Sequence, residues 1–226
     1  MQAVNEPMAD VRDMYMAHTM FRREFRLLPQ LVRDVVPGDT QRAEVVANHA
    51  DTVCHILHVH HEGEDMALWP RLVERGGEET AAIVPTMEGQ HHGIEGALAE
   101  VTALLPQWRA TAQRGDDVAA AFDRLLEKLL EHMALEEKEI LPLAEKYVTA
   151  REWAELGAHA IANSPKKELP LAFGMAMYEG EPDTIKAVLT HMPLVPRLVM
   201  PFLAPRLYAS HAKKVYGTPT PPRVGS

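Results

Sequence analysis

Apolar residues recur along this chain at steps of three and four, and four long segments carry the pattern. The first stripe runs Val11, Met14, His18, Phe21, Phe25, Leu28, Val32, and the second Val53, Leu57, His61, Asp65, Leu68, Leu72. The third runs Val84, Met87, His91, Ile94, Leu98, Val101, Leu105, and the fourth Leu125, Leu129, His132, Glu136, Ile140, Leu143. Such steps keep each set on one face of an α-helix. Pro7 suits the first turn of the first helix, which continues to about Val36. Pro37-Gly38-Asp39 breaks it, with Asp39 or Thr40 as cap for the second helix. Gly76-Gly77 and Gly115-Asp116 mark the next two breaks, and Pro70, Pro85, Pro106 and Pro142 predict local kinks or ends. Short connections make neighbours antiparallel. The predicted fold is all-α: an up-down-up-down four-helix bundle over residues 8–148.

Beyond Val148 the character changes. Thr149 and Glu152 have capping-box spacing and open a fifth helix through about Asn163. Pro182 starts another, and a last one runs from about Val195 to Tyr216 with proline kinks. Residues 149–216 are too apolar to be left in water and are expected to pack on the bundle as a helical extension. The tail 217–226, TPTPPRVGS in its last nine residues, is expected to be disordered.

Composition narrows the function classes. A net charge of -9 and no Lys/Arg block argue against a nucleic-acid partner. No apolar run of about 18 residues occurs, so no membrane partner is expected. The start lacks the basic-then-apolar form of a signal peptide. The single cysteine, Cys54, fits a reducing compartment. The expectation is a cytoplasmic helical protein.

The chemistry lies where the stripes are interrupted. Each helix turns one imidazole inward: His18, His61, His91 and His132. His61 is followed one turn later by Asp65, and His132 by Glu136, so nitrogen and carboxylate oxygen share a face. Buried charge is unfavourable unless paired or bound to metal. In antiparallel helices rising about 1.5 Å per residue, all four imidazoles fall within a turn or so of one level. A core histidine bonded to its helical neighbour explains one such pair; it explains two pairs and two level-matched histidines poorly. Glu95, one turn after His91, and Glu62, beside His61, are further candidate ligands, each against the alternative of a solvated helix face. His49, His55, His58 and His60 fall off the stripe or away from this level. Imidazoles with three or four carboxylates suit iron or manganese better than thiolate-rich structural zinc.

The segments HHEGEDMALWP (60–70) and HMALEEKEILPL (132–143), with AHTMFRREF around His18 and EGQHHGIEG around His91, resemble the hemerythrin-like HHE cation-binding domain over about residues 8–146. The resemblance implies a non-haem centre of two iron ions, bridged by an oxo group or a carboxylate. By motif it carries the metal role to His18, His61, Asp65, His91, His132 and Glu136. Two departures stand out: Glu95 stands where oxygen-carrying members have a second histidine on the third helix, and Asp65 replaces a glutamate. A carboxylate in place of an imidazole lowers the reduction potential and argues against simple reversible oxygen storage.

Beside a structural metal with no chemistry, two functions remain open at this point. One is a module that binds O2 or senses oxygen, iron or redox state, with a protein partner left unspecified. The other is an enzyme acting on hydrogen peroxide or nitric oxide. No general base or other catalytic residue can be named, and such small ligands need only an open coordination position.

Overall fold

The computed structural model describes residues 6–224, all of whose regular elements are helical. Four long helices form the bundle: α1 (Arg12–Arg33), α2 (Thr40–Ala67), α4 (Ile83–Thr111) and α5 (Gly115–Leu135). Between them α3 (Trp69–Gly76) continues α2 after a break, and α6 (Leu141–Tyr147) continues α5 after a π-helical turn at Glu136–Ile140. Helix α1 packs on α2 and α5, and α4 packs on the same two, which closes a four-membered ring.

Local chemistry explains the boundaries. Asp39 caps α2 by accepting from the Arg42 backbone N–H at 2.9 Å. Pro70 cannot donate to the turn before it, so α2 stops at Ala67 and α3 restarts with the proline in its first turn. Pro7, by contrast, does not open α1. Residues 7–9 run antiparallel to 148–150 through Ala9 N–H to Val148 O (2.9 Å) and Ala150 N–H to Pro7 O (2.8 Å). That pairing ties the first and last segments of the bundle together at one end and delays the helix to Arg12.

The core is divided. One apolar cluster, including Phe21, Phe25, Leu57, Val101, Trp108, Phe122 and Leu129, fills the larger part of the bundle. A second, including Met14, Leu68, Trp69, Leu72, Met87, Ile140 and Trp153, fills the other end. Between them lies a polar layer of histidine and glutamate.

The chain beyond 149 adds α7 (Ala150–Asn163), α8 (Leu169–Met177), α9 (Pro182–His191) and α10 (Leu194–Tyr216). Thr149 and Glu152 complete the capping box that opens α7. Helix α7 lies along α2, α8 along α1, and α10 along α8 and α2. Gly174 permits the approach of α10 to α8, since a Cβ there would meet the Ala204 carbonyl oxygen at 2.3 Å. Residues 217–224, expected to be disordered, make specific contacts: Tyr178 donates to Pro221 O at 2.9 Å and the Val224 N–H donates to Glu179 at 2.7 Å.

A buried polar network joins extension to bundle. Glu24 is fully buried and accepts from Arg23, from Tyr208 (3.0 Å) and from Tyr216. Its Oε2 lies 3.2 Å from His49 Nε2, and His49 Nδ1 lies 3.0 Å from His211 Nε2. Arg23 also donates to Glu179 (2.6 Å) and to the Met175 carbonyl (2.7 Å). Burial and the neighbouring His49 hold His211 down at about 4. A histidine whose folded pKa lies below its unfolded value of about 6.5 contributes stability that is complete above pH 6.5 and lost as pH falls toward 4. Acidification across that window is expected to cost about 1–3 kcal/mol. His211→Asn should flatten this slope in urea titrations at pH 4.5, 5.5 and 7; an unchanged slope would refute the assignment.

Candidate metal centre

Five histidines and two glutamates from all four bundle helices meet in the polar layer. α1 contributes His18, α2 contributes His60, His61 and Glu64, α4 contributes His91, and α5 contributes His132 and leads into Glu136. His61, Glu64, His91 and His132 can each present one ligand atom within 4.8 Å of the others, and all four are buried. The rings of His61 and His91 stack at 4.2 Å, and His91 Nε2 lies 3.3 Å from His132 Nε2.

The two carboxylates are placed between histidines. Glu64 lies 3.1 Å from His60 Nε2 through one oxygen and 3.4 Å from His91 Nε2 through the other. Glu136 Oε2 lies 3.3 Å from His18 Nε2 and 3.4 Å from His132 Nε2. These atoms are close without being satisfied. Within this layer, Nε2 of His18 and His60, Nδ1 of His61, and both oxygens of Glu64 and of Glu136 are buried and lack a hydrogen-bond partner among the described residues. Buried polar groups normally have partners. Seven orphaned ligand atoms converging in one dry layer are what cation coordination would satisfy.

The outward-facing nitrogens are anchored, which orients the inward ones. His91 Nδ1 lies 2.6 Å from Asp65, which also accepts from Trp69 Nε1 at 2.7 Å. His18 Nδ1 lies 2.9 Å from Glu137, itself held by Arg22 at 2.7 Å. His132 Nδ1 lies 3.3 Å from the Gln90 side-chain oxygen. The π-helical turn that begins at Glu136 inserts its wider ring just where consecutive glutamates must serve one layer, Glu136 within it and Glu137 behind His18.

Protonation follows the same geometry. Burial disfavours charge on His18, but Glu136 and Glu137 outweigh it and raise the imidazole to about 9. Burial likewise opposes His91, and Asp65 and Glu64 overcome it, raising it to about 10. Burial and the facing Glu136 push Glu64 up to about 7. Burial also acts on Glu136, yet His18 and His132 hold it well below the ordinary carboxylate range. Without a cation, protons on imidazoles offset the carboxylates; a cation would displace them.

The predicted ligands separate into two groups. His18, His61, His91, His132 and Glu136 lie in the layer. Three others do not. Asp65 is half exposed and serves as the acceptor behind His91. Glu62 faces outward to His159 of α7 at 3.1 Å, and Glu95 faces outward to His58 at 2.9 Å. The physical reason is helical phase: from His61 the inward step is three residues, to Glu64, and the next is four, to Leu68. The stripe pattern does not single out His60 and Glu64. Their own spacing of four matches that of His61 and Asp65, and it is the one signal in the sequence that points to them. His60 is inward because it packs against α1, its ring 5.1 Å from that of Phe21 and 5.6 Å from that of His18.

If Asp65 orients His91 rather than binding a cation itself, Asp65→Asn should weaken cation affinity about 10–100-fold while leaving stoichiometry unchanged. Competition with a chromophoric chelator measures both. Loss of a whole equivalent would instead make Asp65 a ligand.

A buried layer of imidazoles and carboxylates across a four-helix bundle defines a cation-binding helical protein. The profile of the Hemerythrin HHE cation binding domain matches residues 9–144, and the chain belongs to that family. No curated protein and no solved structure gives a significant match.

Proposed function

We propose that the layer holds two iron ions and that the protein binds O2 or reports oxygen or redox state through them. One observation carries this reading: each buried glutamate stands between histidines that fall into two groups. His18 and His60 form one group, and His61, His91 and His132 the other. Glu64 touches His60 and His91, and Glu136 touches His18 and His132, so both carboxylates connect the groups. A single cation needs no such pairing.

The donor set fits iron. It combines nitrogen and carboxylate oxygen with no thiolate, and the only cysteine, Cys54, lies in the apolar cluster. When bound, iron supplies a redox couple and a coordination position for a small ligand. The chain's own part is to fix imidazole tautomers through Asp65, Glu137 and Gln90, to balance charge with Glu64 and Glu136, and to exclude water with the apolar clusters on either side. The fifth imidazole, His60, bears on the choice of function. Glu95, read from the sequence, suggests a carboxylate in place of a histidine, and with it a lowered potential. With Glu95 on the surface and His60 in the layer, that objection to oxygen binding loses its basis.

Anaerobic loading followed by metal analysis and stopped-flow exposure to O2 tests the proposal. The expected result is about two irons per chain and a persistent visible absorption that degassing reverses. One zinc per chain with no visible band would make the metal structural. Oxygen evolution from added peroxide, lost in His132→Ala, would make the protein an enzyme.

A further inference from the structure

The charge of this chain is unevenly placed. Residues 184–226 contain six Lys/Arg and no Asp/Glu, so with a net charge of -9 overall the preceding 183 residues carry -15. Helix α10 lies in the cationic part. Its second half is anchored by Ala204, Tyr208, Ala212 and Val215, all buried. Its first half is less covered, with Pro196, Met200 and Pro201 partly buried. Leu194, Leu198 and Phe202 form one ridge at i, i+4 spacing, and Val195, Val199, Leu203 and Leu207 form the adjacent ridge. All seven are exposed, Leu194 and Val195 to 70% and Phe202 to 66%. Folded proteins rarely leave so continuous an apolar surface in water without a use for it.

We infer that the first half of α10 docks on an anionic lipid bilayer, lying in the headgroup region with its two apolar ridges inward and its lysines and arginines against lipid phosphates. Three observations select this occupant. The apolar face is convex and aliphatic, with only Phe202 aromatic, so it offers shape for non-directional insertion rather than a pocket for a ligand. Arg206 lies on the same arc as the ridges, and Lys213 and Lys214 follow within two turns, all three exposed. Among the described residues none of these cations, nor Arg197 or Lys186, forms a salt bridge. Basic residues beside an amphipathic helix are attracted by an anionic leaflet. The charge asymmetry also orients the molecule, since the acidic body is repelled by the surface that attracts α10.

A second copy of the chain fits less well. Outside α10 the other exposed large apolar residues, Met8, Tyr15, Val36, Met66, Val73 and Ile161, are spread over separate elements and form no matching face. Pairing α10 with α10 would oppose two cationic segments that contain no acid. No described helix is long and apolar enough to cross a membrane, which leaves surface docking untouched. The expectation of no membrane partner rests on the lack of a spanning run, and an interfacial helix needs none.

The test is flotation of the full chain with vesicles of phosphatidylcholine containing 30% phosphatidylserine, against pure phosphatidylcholine. Binding to the anionic vesicles alone, weakened by raising salt from 50 to 300 mM, is expected. Leu198→Ser with Phe202→Ser should reduce it at least tenfold, and Arg206→Glu with Lys213→Glu should do likewise. All four positions are exposed, and unchanged circular dichroism and metal content would confirm folding. Absence of binding to the anionic vesicles overturns the inference. So does binding unaffected by either double variant. A concentration-dependent dimer abolished by Leu198→Ser with Phe202→Ser, without vesicle binding, would assign the face to a second copy instead.

Discussion

His132→Ala is expected to lower bound metal from about two equivalents to below one and to remove the thermal stabilisation that metal confers. His132 occupies the crowded side of the layer, 3.3 Å from His91 Nε2 and 3.4 Å from Glu136. Its loss removes a ligand and leaves Glu136, fully buried, with a weaker claim on any cation. A ligand present at a thousand times its Kd stabilises the folded state by about 4 kcal/mol. In a protein of this size that corresponds to about 8–16 °C in Tm. Scanning calorimetry of the loaded wild type, of the same sample after chelation and of the loaded variant measures the effect directly. Glu64→Ala should behave like His132→Ala. Glu62→Gln and Glu95→Gln should resemble wild type, because both side chains lie outside the layer. A metal loss in either of these last variants, with Glu64→Ala retaining two equivalents, would reverse the ligand assignment.

Glu24→Ala should destabilise the chain by about 3–5 kcal/mol, the range for breaking one side of a buried ion pair. Arg23 would keep Glu179 and the Met175 carbonyl but lose its carboxylate neighbour, while Tyr208 would be left without an acceptor and Tyr216 and His49 would keep only each other and, for His49, His211. Because Glu24 is held at about 2, with burial opposing and His49 and Arg23 prevailing, its contribution is complete above pH 4.5 and lost as pH falls toward 2. Urea unfolding at pH 7 gives the magnitude. Limited proteolysis should cut the variant first between α9 and α10, since the hydrogen bonds from Tyr208 and Tyr216 to Glu24 fasten α10 to the bundle. Metal content should stay at the wild-type value. A cost below about 1 kcal/mol for Glu24→Ala would mean the network is incidental to docking.

Much of this architecture is legible in the pattern of side chains. The amphipathic period of α1, α4 and α5, the Asp39 cap, the Thr149 capping box and the start of α9 at Pro182 are all local features. Each is decided within one or two turns, where spacing and capping chemistry dominate. The break at Pro70 belongs with them. The start of α1 does not, because Pro7 is compatible with a first helical turn and is drawn instead into pairing with residues 148–150. That choice depends on an extended segment some 140 positions away in the chain.

The metal layer shows the same division. An inward histidine on each of four stripes, at one level, follows from period and connection length, and the structure brings those rings together. Which carboxylate accompanies them on α2 does not follow. Glu64 and Asp65 stand three and four residues after His61, and both steps are compatible with an inward face. Packing against α4 and α5 rotates Glu64 into the layer and leaves Asp65 behind His91. His60 turns inward for a related reason, since the surface it meets is that of α1, where Phe21 and His18 lie against its ring.

What the amino-acid order determined by itself, then, is the set of helices, their caps and the inward histidines, because these rest on interactions between residues a turn apart. Only the tertiary structure decided the helix phase that selects Glu64 over Asp65, the recruitment of His60, and the buried Arg23–Glu24–His49–His211 network that fastens the extension. Those depend on which neighbouring surface each helix meets, and a difference of one residue in phase is too small for periodicity to resolve but large enough to move a carboxylate from solvent to the centre of the bundle.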